Sequence, residues 1–211
     1  MLRASPNSLL LLDLDGTLTS VPSPWRYVYE RLGIWDSVGE KIFSRYIAGE
    51  IDYTSFCRLD VDAWEEAGAS LETVEGILDE ITFPTESLAF LETVLEAGFS
   101  TAILSTGFER VARNLAGKVG IPFSRGFRPV INGIRIMEGR LEPVLRVHEG
   151  NTPRGKGSWA RHLVRLSGAS LDRTFAVGDG ISDTLMFAYV GKGFRVKGPQ
   201  GLPKILESIL R

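Results

Sequence analysis

Four consecutive leucines, Leu9 to Leu12, run into two aspartates one residue apart, Asp13 and Asp15. The next apolar run of strand character, FSTAILS at 99–105, does not begin until residue 99. A strand that is greasy at every position belongs inside a sheet covered on both faces, which points to parallel strands joined by helices. The chain beyond residue 85 reads that way. Leu88, Leu91 and Leu95 mark a helix over 86–97, stopped by Gly98. After FSTAILS, a helix is expected from about 108 to 118 and another over 156–167, carrying Trp159, Leu163 and Leu166. TFAVGD, 174–179, is a short strand, a helix follows near 182–190, and GFRV, 193–196, is a last strand. With residues 8–13 as the first strand, the alternation predicts an α/β fold, a parallel sheet with helices on both faces.

Residues 20–84 have a different texture. Trp25, Val28, Tyr29 and Leu32 recur at helical spacing, opened by Ser23-Pro24 and closed by Gly33. Ile42, Phe43 and Tyr46 mark a second helix ending near Gly49; Phe56, Cys57, Val61 and Trp64 a third; Val74, Ile77, Leu78 and Ile81 a fourth, capped by Ser70. No strand pattern interrupts them, so the stretch reads as a helical insert. The expected division is a core of residues 1–19 and 85–211 with the insert at 20–84. Residues 127–148 hold two turn signals, Asn132-Gly133 and Glu138-Gly139, and read as a β-hairpin excursion.

Composition narrows the function classes. With 24 basic and 26 acidic residues the net charge is −2, which gives no basic excess for nucleic acid or an anionic membrane. One cysteine, Cys57, cannot form an intrachain disulfide, and with two histidines, His148 and His162, there is no Cys/His metal framework. Cys57 fits a small core residue, and neither histidine carries a motif. The leucine run is too short for a membrane span and is interrupted too early for a signal-peptide core, so a cytoplasmic protein is expected. The oligomeric state is not legible.

In an open α/β sheet, ligands bind beyond the carboxyl ends of the strands. Three strand ends here carry chemistry: LDLDGT, ILSTG and VGDGISD. Residues two apart on a strand share a face, so Asp13 and Asp15 would crowd like charges, and one should titrate high. A divalent cation relieves the repulsion, and adding Asp179 and Asp183 makes an all-oxygen cluster that suits Mg²⁺ rather than zinc. Ser105, Thr106 and Gly107 suit an anion at a helix N-terminus, although Ser and Thr are also common helix caps. Lys156, at a helix start in PRGKGS, is a surface charge in isolation and a counter-charge to phosphate beside an acidic cluster. These groups could run phosphoryl transfer, with Asp13 as the nucleophile and Asp15 as acid and then base.

The series DLDGTL, STG, a lysine and GDGISD, in that order, resembles the haloacid dehalogenase superfamily of phosphohydrolases. The resemblance implies a Rossmann-like core. It also implies Mg²⁺ held by Asp13, the Asp15 backbone carbonyl and Asp179 with Asp183 in support, and phosphate held by Ser105 and Lys156. The insert would be the superfamily's cap, closing over a small phosphorylated metabolite. Within the superfamily, GEIDYTSFCR at 49–58, STGF at 105–108 and VGDGISDTLMF at 177–187 are most similar to phosphoserine phosphatases. That likeness makes phosphoserine a candidate substrate, with Arg58 in the place of a carboxylate-binding arginine; a helix-surface arginine is the other reading of Arg58. Three positions depart from the pattern: Pro22 where an amine-binding glutamate is usual, Thr106 for a glycine, and Ser182 for a phosphate-contacting asparagine. The first turns attention to a different small phosphorylated metabolite.

Two other classes compete. A signalling receiver also forms an aspartyl-phosphate, but it lacks a helical insert and a second aspartate in DxDGT. A nucleotide-binding oxidoreductase would need G-x-G-x-x-G after the first strand, which is absent. Trp25 and Trp64 have core spacing, and Arg161 and Arg165 form a solvated helix face.

Overall fold

The strand that ends in Asp13, β1 (Leu9–Leu12), lies inside a six-stranded sheet. The computed structural model describes residues 8–123 and 128–210. The other strands are β2 (Ser100–Phe108), β3 (Val130–Met137), β4 (Arg140–Val144), β5 (Thr174–Gly178) and β6 (Lys192–Arg195). Their order is β4-β3-β2-β1-β5-β6, and every neighbouring pair is parallel except β3 with β4. The four leucines are all buried because both faces are covered. Leu10 and Leu12 pack with Phe90, Leu91 and Val94 on one side; Leu9 and Leu11 pack with Ala160, Leu163 and Met186 on the other. Chain order reverses at β1, which sits between β2 and β5. That is the switch point at which a doubly wound sheet opens a crevice.

Four helices make up the insert after β1: α1 (Pro24–Leu32), α2 (Glu40–Ile47), α3 (Tyr53–Glu66) and α4 (Leu71–Asp79). Their ends follow the expected punctuation. Ser23 Oγ accepts from the Arg26 amide, Pro24 opens α1, and Gly33 closes it in the left-handed region. Ser70 caps α4 through the Thr73 amide. Between α1 and α2, Trp35–Gly39 form one π-helical turn that the apolar spacing did not announce. The insert joins the sheet through an aromatic cluster. Trp25 stands 4.5 Å from Phe108 and 5.5 Å from Trp64 between ring centroids.

The core helices are α5 (Thr85–Glu96), α6 (Glu109–Val119), α7 (Lys156–Ser167), α8 (Thr184–Phe187) and α9 (Leu202–Ile209). Several expectations need correction. The helix expected near 182–190 is a single turn, α8, because Ile181 to Asp183 remain loop. α9 was not anticipated, although Leu202, Ile205, Leu206 and Ile209 carry helical spacing. The hairpin turns only at Glu138-Gly139, both at positive φ. Asn132-Gly133 lies inside β3 instead, because the Asn132 side chain is fully buried and satisfied there by tertiary partners.

Candidate active site

The carboxyl ends of β1, β2 and β5 converge as the switch-point rule requires. Asp13 follows β1 directly, and its amide donates to the Val177 carbonyl on β5 at 2.9 Å. Asp179 follows β5, and Lys156 is the first residue of α7. Lys156 is buried, and its Nζ lies 2.6 Å from Asp13 Oδ1 and 2.6 Å from Asp183 Oδ1. Burial opposes the charged ammonium, but the two carboxylates overcome it and hold the Lys156 pKa above that of an ordinary lysine. Burial raises Asp13, with Lys156 pulling the other way.

Asp13, Asp179 and Asp183 bring carboxylate oxygens within 4.8 Å of one another. Thr17, which the sequence reading quoted in DLDGT without a role, donates at 3.0 Å to both Asp13 Oδ2 and Asp179 Oδ1. An all-oxygen set of three acids suits a hard cation such as Mg²⁺, so these residues fit the expected metal. The Asp15 side chain is outside that set. Gly16 is needed where it stands: its φ is +78°, and an added Cβ would meet Asp179 Oδ2 at 2.7 Å.

Asp15 is buried, and Ser105 Oγ donates to its Oδ2 at 2.7 Å. Among the described residues its Oδ1 has no partner. Burial, helped by the Asp13 charge and opposed by Ser105, pushes Asp15 up to about 7. The Gly107 amide in turn donates to Ser105 Oγ at 2.8 Å. A Cβ on Gly107 would collide with the Asp15 carboxylate. This corrects the helix-terminus reading of Ser105-Thr106-Gly107. They end β2, across a register shift between Ser105 and Phe108, and α6 begins only at Glu109. Ser105 Oγ engages Asp15, and the Gly107 amide engages Ser105.

A cavity of roughly 380 Å³ opens above Asp15, Thr106 and Gly107, walled by the insert. Pro22 is part of that wall. The Thr106 carbonyl accepts from Trp25 Nε1 at 3.0 Å and from Asn132 Nδ2 at 3.2 Å, so the insert and the hairpin both hold this loop. Asn132 also donates to Tyr53 Oη and Val147 O and accepts from the amides of Arg146 and Val147. Trp25 and Asn132 had been read as core and as turn, and neither spacing nor residue type marks such a role. Ser182 is half-buried on the loop beside Asp183, and among the described hydrogen bonds its hydroxyl makes none to the cluster.

Arg58 is not at the cavity. Its guanidinium pairs with Asp62 at 3.1 Å and with Glu142 at 2.6 Å, facing the hairpin. Phe56 and Asp60 are the α3 residues that line the cavity. A residue two positions from each lies on the far side of the helix. This placement matches the other expectation, a helix-surface arginine in ion pairs.

The chain matches the model of the haloacid dehalogenase-like hydrolases over residues 10–188. It is 25% identical over 201 residues to a phosphoserine phosphatase of Archaeoglobus fulgidus, covering 94% of this chain and 55% of that one. It is 26% identical over 186 residues to a phosphoserine phosphatase of Methanocaldococcus jannaschii, covering 87% and 82%. The fold superposes on a substrate-bound phosphoserine phosphatase with a TM-score of 0.72 at 21% identity, over 97% of this chain and 99% of that one. No described helix is long and apolar enough to cross a membrane. The motifs, the strand ends that carry them and the family match over most of the chain agree: this protein belongs to the haloacid dehalogenase-like hydrolases.

Proposed function

We propose that the protein is a Mg²⁺-dependent phosphomonoesterase acting on a small phosphorylated metabolite through an aspartyl-phosphate on Asp13. The observation that carries this is the buried pair Asp13 and Asp15 in unlike settings. Asp13 is held by Lys156 and Thr17, whereas Asp15 has one unpartnered oxygen and a pKa raised to about 7. A carboxylate paired with a buried ammonium suits a nucleophile, and one that keeps an oxygen unpartnered and holds a proton near neutral pH suits a general acid.

In this reading an Asp13 oxygen attacks phosphorus, forming the acyl phosphate as the ester P–O bond breaks. Asp15 gives its proton to the departing alkoxide. It then takes a proton from the water that attacks phosphorus, and the Asp13 carboxylate leaves. Lys156 holds positive charge against the transferring group. Asp13, Asp179 and Asp183, with the Asp15 carbonyl, would hold Mg²⁺, which when bound screens the two anions from each other. Residues 20–84 would act as a cap over the core of 1–19 and 85–211, excluding water from the cavity.

Asp15 separates this reading from a signalling receiver, because an acid/base favours turnover over storage. Steady phosphate release from p-nitrophenyl phosphate with Mg²⁺, abolished in Asp13→Asn, is the expected result. Undiminished release in that variant would refute the nucleophile. Phosphoserine is the substrate named for the relatives above, but Pro22 in the wall and Arg58 in surface ion pairs favour another ester here.

A further inference from the structure

The wall of the cavity has a chemistry that phosphoryl transfer does not use. Trp25, Tyr29, Trp35, Tyr46, Tyr53 and Phe56 all line it. Its acidic residues are Asp15, Asp60 and Glu149. Among the described residues Arg26 is the lone base in the lining, and it is already bound to Glu30 at 2.7 Å. The same arginine lies over the Trp35 ring at 4.6 Å, so this wall already receives a cation.

Asp60 is the unexplained member. It is 1% exposed, and one oxygen accepts from Tyr29 Oη at 2.9 Å. Among the described residues its Oδ2 has no partner, and a buried unmet acceptor is costly enough to need a reason. Burial pushes Asp60 up to about 7 against the pull of Tyr29. A cation beside it would favour its ionised form. At the rim, Glu149 accepts from Tyr46 Oη at 2.8 Å, which keeps a second carboxylate on the cavity.

We propose that this cavity selects phosphate monoesters whose alcohol carries an organic cation and no carboxylate, with Asp60 and Glu149 reading the charge and the aromatic rings packing the groups around it. The inference rests on the phosphatase reading for its phosphate end and on the cavity wall for the rest. An anionic leaving group would meet three carboxylates here and no unpaired base among the described lining residues. An organic cation would meet ring faces and the Asp60 and Glu149 carboxylates.

The test is a set of shape-matched esters assayed with Mg²⁺: 2-(trimethylammonio)ethyl phosphate, its uncharged isostere 3,3-dimethylbutyl phosphate, and 2-phosphoglycolate. The cationic ester should exceed the isostere in kcat/KM by about tenfold, with phosphoglycolate lowest. In Asp60→Asn the ratio of cationic to uncharged ester should fall toward one. The ratio cancels any loss of folded enzyme. Trp64 Nε1, one turn further along α3, is unpartnered as well; if Asp60 served only the fold, stability would change and the ratio would not, which would overturn the proposal. Glu149→Gln at the exposed rim reads the same ratio should Asp60→Asn fail to fold. Preference for the uncharged or anionic ester also overturns it. If no ester, p-nitrophenyl phosphate included, is hydrolysed, the phosphatase reading falls by itself. Saturable quenching of tryptophan fluorescence by tetramethylammonium but not by tert-butanol then sustains the cation site, and its absence removes it.

Discussion

Ser105 donates its hydroxyl to Asp15 Oδ2 at 2.7 Å and is itself held by the Gly107 amide at 2.8 Å. The serine expected to grip phosphate bonds the proposed acid/base, and it fixes which Asp15 oxygen remains unpartnered. Losing a hydrogen bond to a charged group costs about 1.5–3 kcal/mol. Ser105→Ala should therefore lower kcat by roughly ten- to a hundredfold, with KM little changed. A rise in KM at constant kcat would show that the serine serves substrate binding.

Lys156 joins Asp13 and Asp183 in a buried triad. Replacing it with methionine keeps the volume but leaves two carboxylates facing each other without a cation. Breaking a buried pair in this way costs about 3–5 kcal/mol. Denaturant unfolding in chelator should show that loss, and phosphate release assayed with Mg²⁺ should be abolished. Added Mg²⁺ should return part of the stability, since the three acids could still bind it. Wild-type stability in chelator would contradict the triad.

Asp60 makes stability depend on pH in a defined direction. Its folded-state pKa is raised to about 7 from an ordinary value of 3.8. The folded protein therefore holds the proton more tightly than the unfolded chain. The carboxyl costs nothing while both states are protonated, and the cost grows as pH rises from about 4 to about 7. Asp60→Asn can still accept from Tyr29 and carries no charge to bury. The variant should match the wild type near pH 4 and exceed it by about 2–4 kcal/mol at pH 8. Parallel stability curves across that range would contradict the assignment.

Asn132 ties three segments together by donating to Tyr53 Oη, Thr106 O and Val147 O and accepting from two amides. Asn132→Leu strands those groups in the interior, at about 1–3 kcal/mol for each one left unmet. Melting should fall by roughly 2–4 °C per kcal/mol lost. Phosphate release should fall further than stability explains, because Thr106 lies between Ser105 and Gly107, the residues packed on Asp15. A variant that melts and turns over like the wild type would remove Asn132 from the site's support.

Pattern alone located most of the architecture. Four consecutive leucines pointed to a sheet covered twice, and Ser23-Pro24, Gly33 and Ser70 marked helix ends with local hydrogen bonds that need no distant partner. Asp13, Asp15, Asp179, Ser105 and Lys156 come together because strand ends and one helix start meet at the switch point. What the sequence could not decide depends on direction and on partners far along the chain. Arg58 matched a motif but faces Glu142, since its angular position on α3 relative to the cavity is set by how that helix packs. Asn132-Gly133 has turn chemistry, yet Tyr53, 79 residues away, and four other groups hold it in a strand. Asp60 carried no motif. Only packing brought its carboxylate out of water and set it, half satisfied, among the rings of α1, α2 and α3. Local spacing determines which elements form, because those bonds are short-range. Tertiary packing decides which side chains lose water together, and the chemistry of this cavity follows from that.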